Sequence, residues 1–192
     1  MRPLFLLAAT TLLSAYCYSQ TTAGPTLVKA EIGLHGIGVA FEPALADAFT
    51  IELAGGLGGN YQISQDGATR NFFYGASSDF DGPGIFATVT PKYFYNLQKR
   101  AAQGKNTRLN SANYIGARVK YSTSPYVPTN ANLSTLLANV HWGLQRAVGR
   151  QWLYNMHAGI GYGSNITTNV STIYPALEFK FSYVIWNSHR NR

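Results

Sequence analysis

From Leu177 to Trp186 apolar and polar positions alternate: Glu178, Lys180 and Ser182 fall on one side, and Leu177, Phe179, Phe181, Tyr183 and Ile185 on the other. Successive side chains of a strand point to opposite faces, so this stretch predicts a strand with one oily and one charged face. The alternation recurs along the chain. It predicts a first strand over residues 28–41, with Lys29, Glu31, Gly33 and His35 opposite Ala30, Ile32 and Leu34. The phase flips near Gly36, as a glycine bulge would make it do. A second strand over 49–61 sets Phe49, Ile51, Leu53 and Leu57 against Thr50, Glu52, Gly56 and Asn60. Residues 69–76 form a weaker, aromatic-rich third strand. The fourth, 85–96, carries Lys92 on its polar side, and the fifth, 113–122, carries Arg118 and Lys120. Residues 136–145 and 152–162 complete the set, placing His141 and His157 on polar faces, and 177–186 is the eighth strand.

Alternation does not say which face is inside; a soluble sandwich or a lipocalin-like barrel alternates too. The distribution of charge favours one answer. Lys29, Glu31, Glu52, Lys92, Arg118, Lys120, Glu178 and Lys180 all share the polar face, while the apolar face is uncharged and carries Tyr93, Tyr95, Trp152, Tyr162 and Tyr183 near strand ends. That division suits a transmembrane barrel, apolar and girdled with aromatics outside, polar within. The expected fold is therefore all-β, an eight-stranded antiparallel up-and-down transmembrane β-barrel. The eight charged residues form its interior network. So narrow a lumen is filled by its own side chains, which makes the charges partners of one another.

The first twenty residues agree with export. Arg2 precedes the apolar run Leu4–Ala9, Leu12 and Leu13, and small residues follow at Ser14, Ala15 and Ser19. The run is too short to span a bilayer, so residues 1–20 are expected to be a signal peptide and 21–192 the barrel domain. Cys17, the one cysteine, leaves open a lipidated alternative, against which stands the bulk of Tyr16. Only 12% of residues are charged, while Gly (19), Tyr (13) and Phe (10) are abundant; this fits strands with many bends. No later run is long enough for a membrane helix.

An even strand number puts both termini at one end, the periplasmic end under the usual barrel topology. Connections near 63–68, 97–112 and 147–150 then join the termini, and those near 42–48, 77–84, 123–133 and 164–173 face outward. Lys99, Arg100, Lys105, Arg108, Arg146, Arg150, Arg190 and Arg192 fall at the terminal end, and Glu42, Asp47, Asp79 and Asp81 at the outer one.

The signal, the passage Thr90-Pro91-Lys92-Tyr93-Phe94-Tyr95-Asn96-Leu97, the basic connection Lys99-Arg100-Ala101-Ala102-Gln103-Gly104-Lys105-Asn106-Thr107, Ser111-Ala112-Asn113-Tyr114 and the closing aromatic strand carry a resemblance. In these features the chain resembles the small outer-membrane β-barrel proteins of the OmpA-like barrel superfamily, especially exported barrels of Bacteroidetes-type bacteria. Such barrels commonly end on an aromatic residue, whereas Trp186 is followed by six more residues here.

Catalytic signals are thin. His35, His141 and His157 lack metal-ligand spacing and read as interior histidines. Ser188-His189 stands without a nucleophile elbow. Gly55-Gly56-Leu57-Gly58-Gly59 lacks the Lys-Ser/Thr ending of a phosphate loop, so bulges or close wall packing are expected there. The reading is a non-catalytic outer-membrane barrel with no cofactor and no metal, monomeric, without nucleic-acid partners, serving envelope structure or binding through outer loops such as 124–129. Its partners are outer-membrane lipid and lipopolysaccharide, the barrel assembly machinery and an extracellular ligand. A narrow anion-preferring channel is the alternative, and a lipid-modifying enzyme the third reading.

Overall fold

A computed structural model of the protein describes residues 24–58, 61–64, 67–70, 84–123, 134–166 and 169–189, with side chains undescribed over 61–70. The expected signal, residues 71–76, and the outer segment 124–129 lie outside the described residues.

Eight strands close into an antiparallel barrel in which each pairs with its neighbours in sequence: β1 (Leu27–Gly33), β2 (Gly36–Glu42), β4 (Phe49–Gly58), β7 (Gly84–Tyr93), β8 (Asn113–Thr123), β9 (Ser134–Val148), β10 (Trp152–Asn165) and β11 (Val170–Asn187), the last pairing with the first. The short β3 (Ala44–Ala46) pairs with β4, and β5 (Tyr61–Ser64) and β6 (Gly67–Arg70) form a separate hairpin against β9, β10 and β11.

The expected count of eight holds, but two of its strands were misassigned. Residues 28–41 are not one bulged strand. They are β1 and β2, joined by the two-residue turn Leu34-His35, with Gly33 paired to Gly36. Gly36 has φ +128, a conformation that side-chain-bearing residues rarely adopt. The predicted strand 69–76 is not a described wall strand; residues 67–70 belong to the small hairpin. The split exchanges two connections. Residues 43–48 lie at the end holding the termini, with 94–112 and 149–151, while β4 runs on to Gly58 at the opposite end, that of the 34–35 turn, so that the chain leaves the wall there before residues 63–68.

Strand partners define the stagger. Glu31 pairs with Ser182 directly; followed the other way, through Gly38, Gly56, Phe86, Ser122, Thr135 and Asn165, it leads to Val170, twelve residues away on β11. A shear of twelve over eight strands at about 4.8 Å spacing and 3.3 Å rise tilts them about 45° and gives a backbone radius of about 9 Å. Side chains fill a tube of that width.

The faces are sorted in the inverse of a water-soluble protein. Among the described residues thirty large apolar side chains are exposed, among them Val39 (61%), Val140 (59%), Ile160 (59%) and Ile173 (69%), whereas Lys29, Glu42, Glu52 and Lys92 are fully buried in the lumen. Glycines on the inner face make room for the larger inward rings: a Cβ at Gly143 would stand 2.4 Å from the ring carbon bearing the Tyr114 hydroxyl, and one at Gly161 2.5 Å from the same carbon of Tyr174.

Candidate functional site

The lumen is the chemically distinctive part of the molecule. Alternation in β1, β2, β4, β7, β8 and β11 delivers Lys29 and Glu31, Glu42, Glu52, Lys92, Arg118 and Lys120, and Glu178 and Lys180 to its inside. Five cations thus face four carboxylates, all at most 7% exposed.

Toward the terminal end, Lys29 donates to both Glu42 and Glu52 at 2.5 Å. Lys92 reaches Glu52 at 2.7 Å, Glu42 at 3.2 Å and the Gln145 Oε1 at 3.2 Å. Thr50 and Asn110 also donate to Glu42. A neutral relay continues sideways: Tyr114 donates to Asn155 Oδ1 at 2.8 Å, and Asn155 donates to Gln145 at 3.1 Å. Lys180 bridges to the second half, donating to Glu52 at 2.5 Å and to Glu31 at 3.0 Å.

There Arg118 pairs with Glu178 and donates to Thr90. His35, in the β1–β2 turn, sits between two carboxylates, its Nε2 3.4 Å from Glu31 and its Nδ1 against Glu178. His157 Nε2 is 3.4 Å from Glu178, and its ring stacks on His141 with centroids 4.0 Å apart. His141 Nδ1 lies 2.7 Å from Asn139 Oδ1. Lys120 lies over the Phe86 ring at 4.9 Å. The cavity among these groups is narrow, with room for about one or two waters, and above it the lining turns apolar at Leu137, Tyr174 and Ala176.

All eight charged residues expected inside are buried in the lumen; ion pairs, with His35 between Glu31 and Glu178, link Lys29, Glu31, Glu52, Lys92, Arg118, Glu178 and Lys180, and Lys120 rests over Phe86. Glu42, expected in an outer turn, is a ninth interior charge: Ile37, Val39 and Phe41 point outward, and parity alone turns the next position inward. The three histidines are interior, as expected. Gly55–Gly58 is wall in β4, where Gly56 and Gly58 press against the β2 backbone and its turn. Among the described residues no group of three His, Cys, Asp or Glu is arranged to hold a metal ion.

The terminal mouth is covered. After β7 the chain passes through α1 (Leu97–Ala102) and a 3-10 turn (Arg108–Asn110) before re-entering the wall. Leu109 packs with Leu27, Leu153 and Val184, and Phe94 with Ala112 and Tyr114. Asn110 donates to Pro25 O, and Gln145 to Leu109 O, both at 3.0 Å. Leu109 and Asn110 both have positive φ (55 and 58), and these buried contacts hold them there.

Aromatics on the outer wall form two levels. Tyr93, Tyr95, Trp142, Trp152, Tyr183 and Trp186 stand toward the terminal end, and Tyr121 and Tyr162 toward the other. The Tyr95 hydroxyl lies in the connection after β7 and accepts from Trp142 Nε1 at 2.8 Å and from Asn113 at 3.3 Å, which holds it below the usual phenol range. Along β10, Trp152 and Tyr162 are ten residues apart; at about 3.4 Å per residue and 45° tilt the levels stand about 24 Å apart, close to the ~25 Å apolar band of membrane barrels.

No family model matches the chain, and comparison with curated proteins and with solved structures gave no match.

Proposed function

We propose that this chain is an integral outer-membrane barrel without catalytic activity, whose interior charges brace the wall and whose role lies in envelope structure or in binding through its outer connections. The observation that carries the proposal is the inverted sorting of faces, thirty large apolar side chains exposed among the described residues around a charged, buried lumen. Soluble monomers rarely expose contiguous apolar patches beyond a few hundred Å², and a closed barrel satisfies every strand edge within a bilayer. No helix among the described residues is long and apolar enough to cross a membrane.

The structural reading is favoured over a channel by the lumen itself. Lys29, Lys92 and Lys180 converge on Glu52 across the bore, and residues 94–112 fold over the mouth. Under the proposal the terminal end faces the periplasm, the wall contacts phospholipid and lipopolysaccharide, the assembly machinery inserts the chain, and the monomer acts without cofactor.

The test is purification of the mature chain. It should stay dispersed only with detergent, migrate differently in SDS gels before and after boiling, and give no stable conductance steps in planar bilayers. A monodisperse monomer in detergent-free buffer would overturn the membrane reading. Reproducible anion-selective steps altered by Lys92 or Arg118 substitution would replace the structural role with a channel.

A further inference from the structure

The terminal end carries a cationic corner that the lumen does not use. Arg146 faces outward near the end of β9, one outward position before Val148 and paired with Tyr154 of β10. Its guanidinium is half-buried and held from two sides, donating to Gln145 O at 2.8 Å and to Asn113 Oδ1. Asn113 in turn donates to the Tyr95 hydroxyl, which also receives the Trp142 indole N–H. One hydrogen-bonded chain therefore runs from the guanidinium to the aromatic belt.

Arg100 belongs to the same corner, since Ser111, whose carbonyl it reaches, also accepts through its hydroxyl from the N–H of Ala147, the residue after Arg146. It too is immobilised, donating to Ser111 O at 3.0 Å and Asn106 O at 3.1 Å. Among the described residues neither arginine forms an ion pair with a carboxylate; every ion pair belongs to the lumen. Two guanidiniums held at this one corner without a counter-charge, at the level where indole and phenol groups meet the bilayer interface, are complementary to an anion at that depth.

From this we propose that Arg146, Arg100, Asn113 and Tyr95 form a site for the phosphodiester of an anionic phospholipid in the leaflet facing the terminal end, its acyl chains lying along Trp142. The inference rests on the membrane placement proposed above. Guanidinium forks suit the phosphate, the Trp142 face suits the chains, and a leaflet of anionic phospholipid supplies both in one molecule.

The test uses the full mature barrel folded into vesicles of phosphatidylcholine with one quarter phosphatidylglycerol, with Trp152→Phe and Trp186→Phe leaving Trp142 as the only indole. Quenching of Trp142 by brominated phosphatidylglycerol is compared with quenching by brominated phosphatidylcholine. The anionic lipid should be preferred by about five-fold, as expected for a basic residue at such a surface. Arg146→Gln should bring the ratio close to one, Arg146→Lys should keep part of it, and Arg108→Gln, on the same end but outside this corner, should leave it within about two-fold. The gel shift on boiling shows that each variant is folded. An unchanged ratio in folded Arg146→Gln overturns the site. Loss of the preference on adding millimolar inorganic phosphate overturns the lipid as its occupant. Quenching by neither lipid overturns the membrane placement, and this inference with it.

Discussion

Glu52 is the residue on which the lumen converges, since Lys29, Lys92 and Lys180 all donate to it. Three ammonium groups collected around one carboxylate hold four sides of the tube to each other: β1, β7, β11 and β4 itself. Glu52→Gln keeps the shape and removes the charge, leaving the lysines with Glu42 and Glu31 only. Breaking a buried pair from one side costs about 3–5 kcal/mol, so urea unfolding of the folded barrel should shift to markedly lower concentration. Glu178→Ala, which strips Arg118 of its carboxylate and His35 of one neighbour, should also lower resistance to unfolding. Wild-type resistance in both variants would show that the network contributes nothing net. Glu52 was legible because Phe49, Ile51 and Leu53 alternate around it. Glu42 was not, because Pro43 follows it and a carboxylate beside a proline reads as a turn; its partners lie 13 and 50 residues away, a distance at which local pattern is silent.

At the scale of elements, the sequence pattern located strands well and joined them imperfectly. A two-residue hairpin and a one-residue bulge both invert the phase of alternation, so residues 28–41 could be one bent strand or two paired ones. Only pairing, Gly33 with Gly36 and Leu27 with Glu42, separates the cases. The weak strand at 69–76 then supplied the missing eighth member and made the count agree. Packing between elements was also hidden. β8 and β9 meet on the inner face through Tyr114 over Gly143, and this places the Tyr114 hydroxyl on Asn155 of β10. Gly143→Val would put a branched side chain into the ring's position, and the ring has Phe94 and His141 on its other sides. Overpacking of this kind costs about 1–3 kcal/mol, and losing the buried hydroxyl's partner adds about 1–3 more. The variant should lose its gel shift at a lower temperature than the parent, while Gly104→Ala, in an exposed connection with nothing near its Cβ position, should differ from the parent only by the mild strain of its positive φ. Equal melting of Gly143→Val and parent would mean that the β8–β9 contact is loose.

The whole molecule has an axis of charge. Lys99, Arg100, Lys105, Arg108, Arg146 and Arg150 gather at the end that holds both termini, where Asp47 is the exposed carboxylate among the described residues. Because residues 28–41 form two strands, Asp47 stands at this end, so the contrast is one of excess cations rather than of separated signs. Gly104 lies between β7 and β8, and Asn130 falls between Thr123 and Ser134, at the other end of β8. If export leaves the termini in the periplasm, Asn130→Cys should react with a membrane-impermeant thiol reagent on intact cells. Gly104→Cys should react only after the outer membrane is opened. Cys17 does not interfere if the signal peptide is removed. Labelling of Gly104→Cys alone on intact cells would invert the barrel, place the Arg146 corner in the outer leaflet among lipopolysaccharide phosphates, and withdraw 124–129 from any external partner. Labelling of both on intact cells, with the boiled and unboiled bands coinciding, would mean that the chain is not inserted at all.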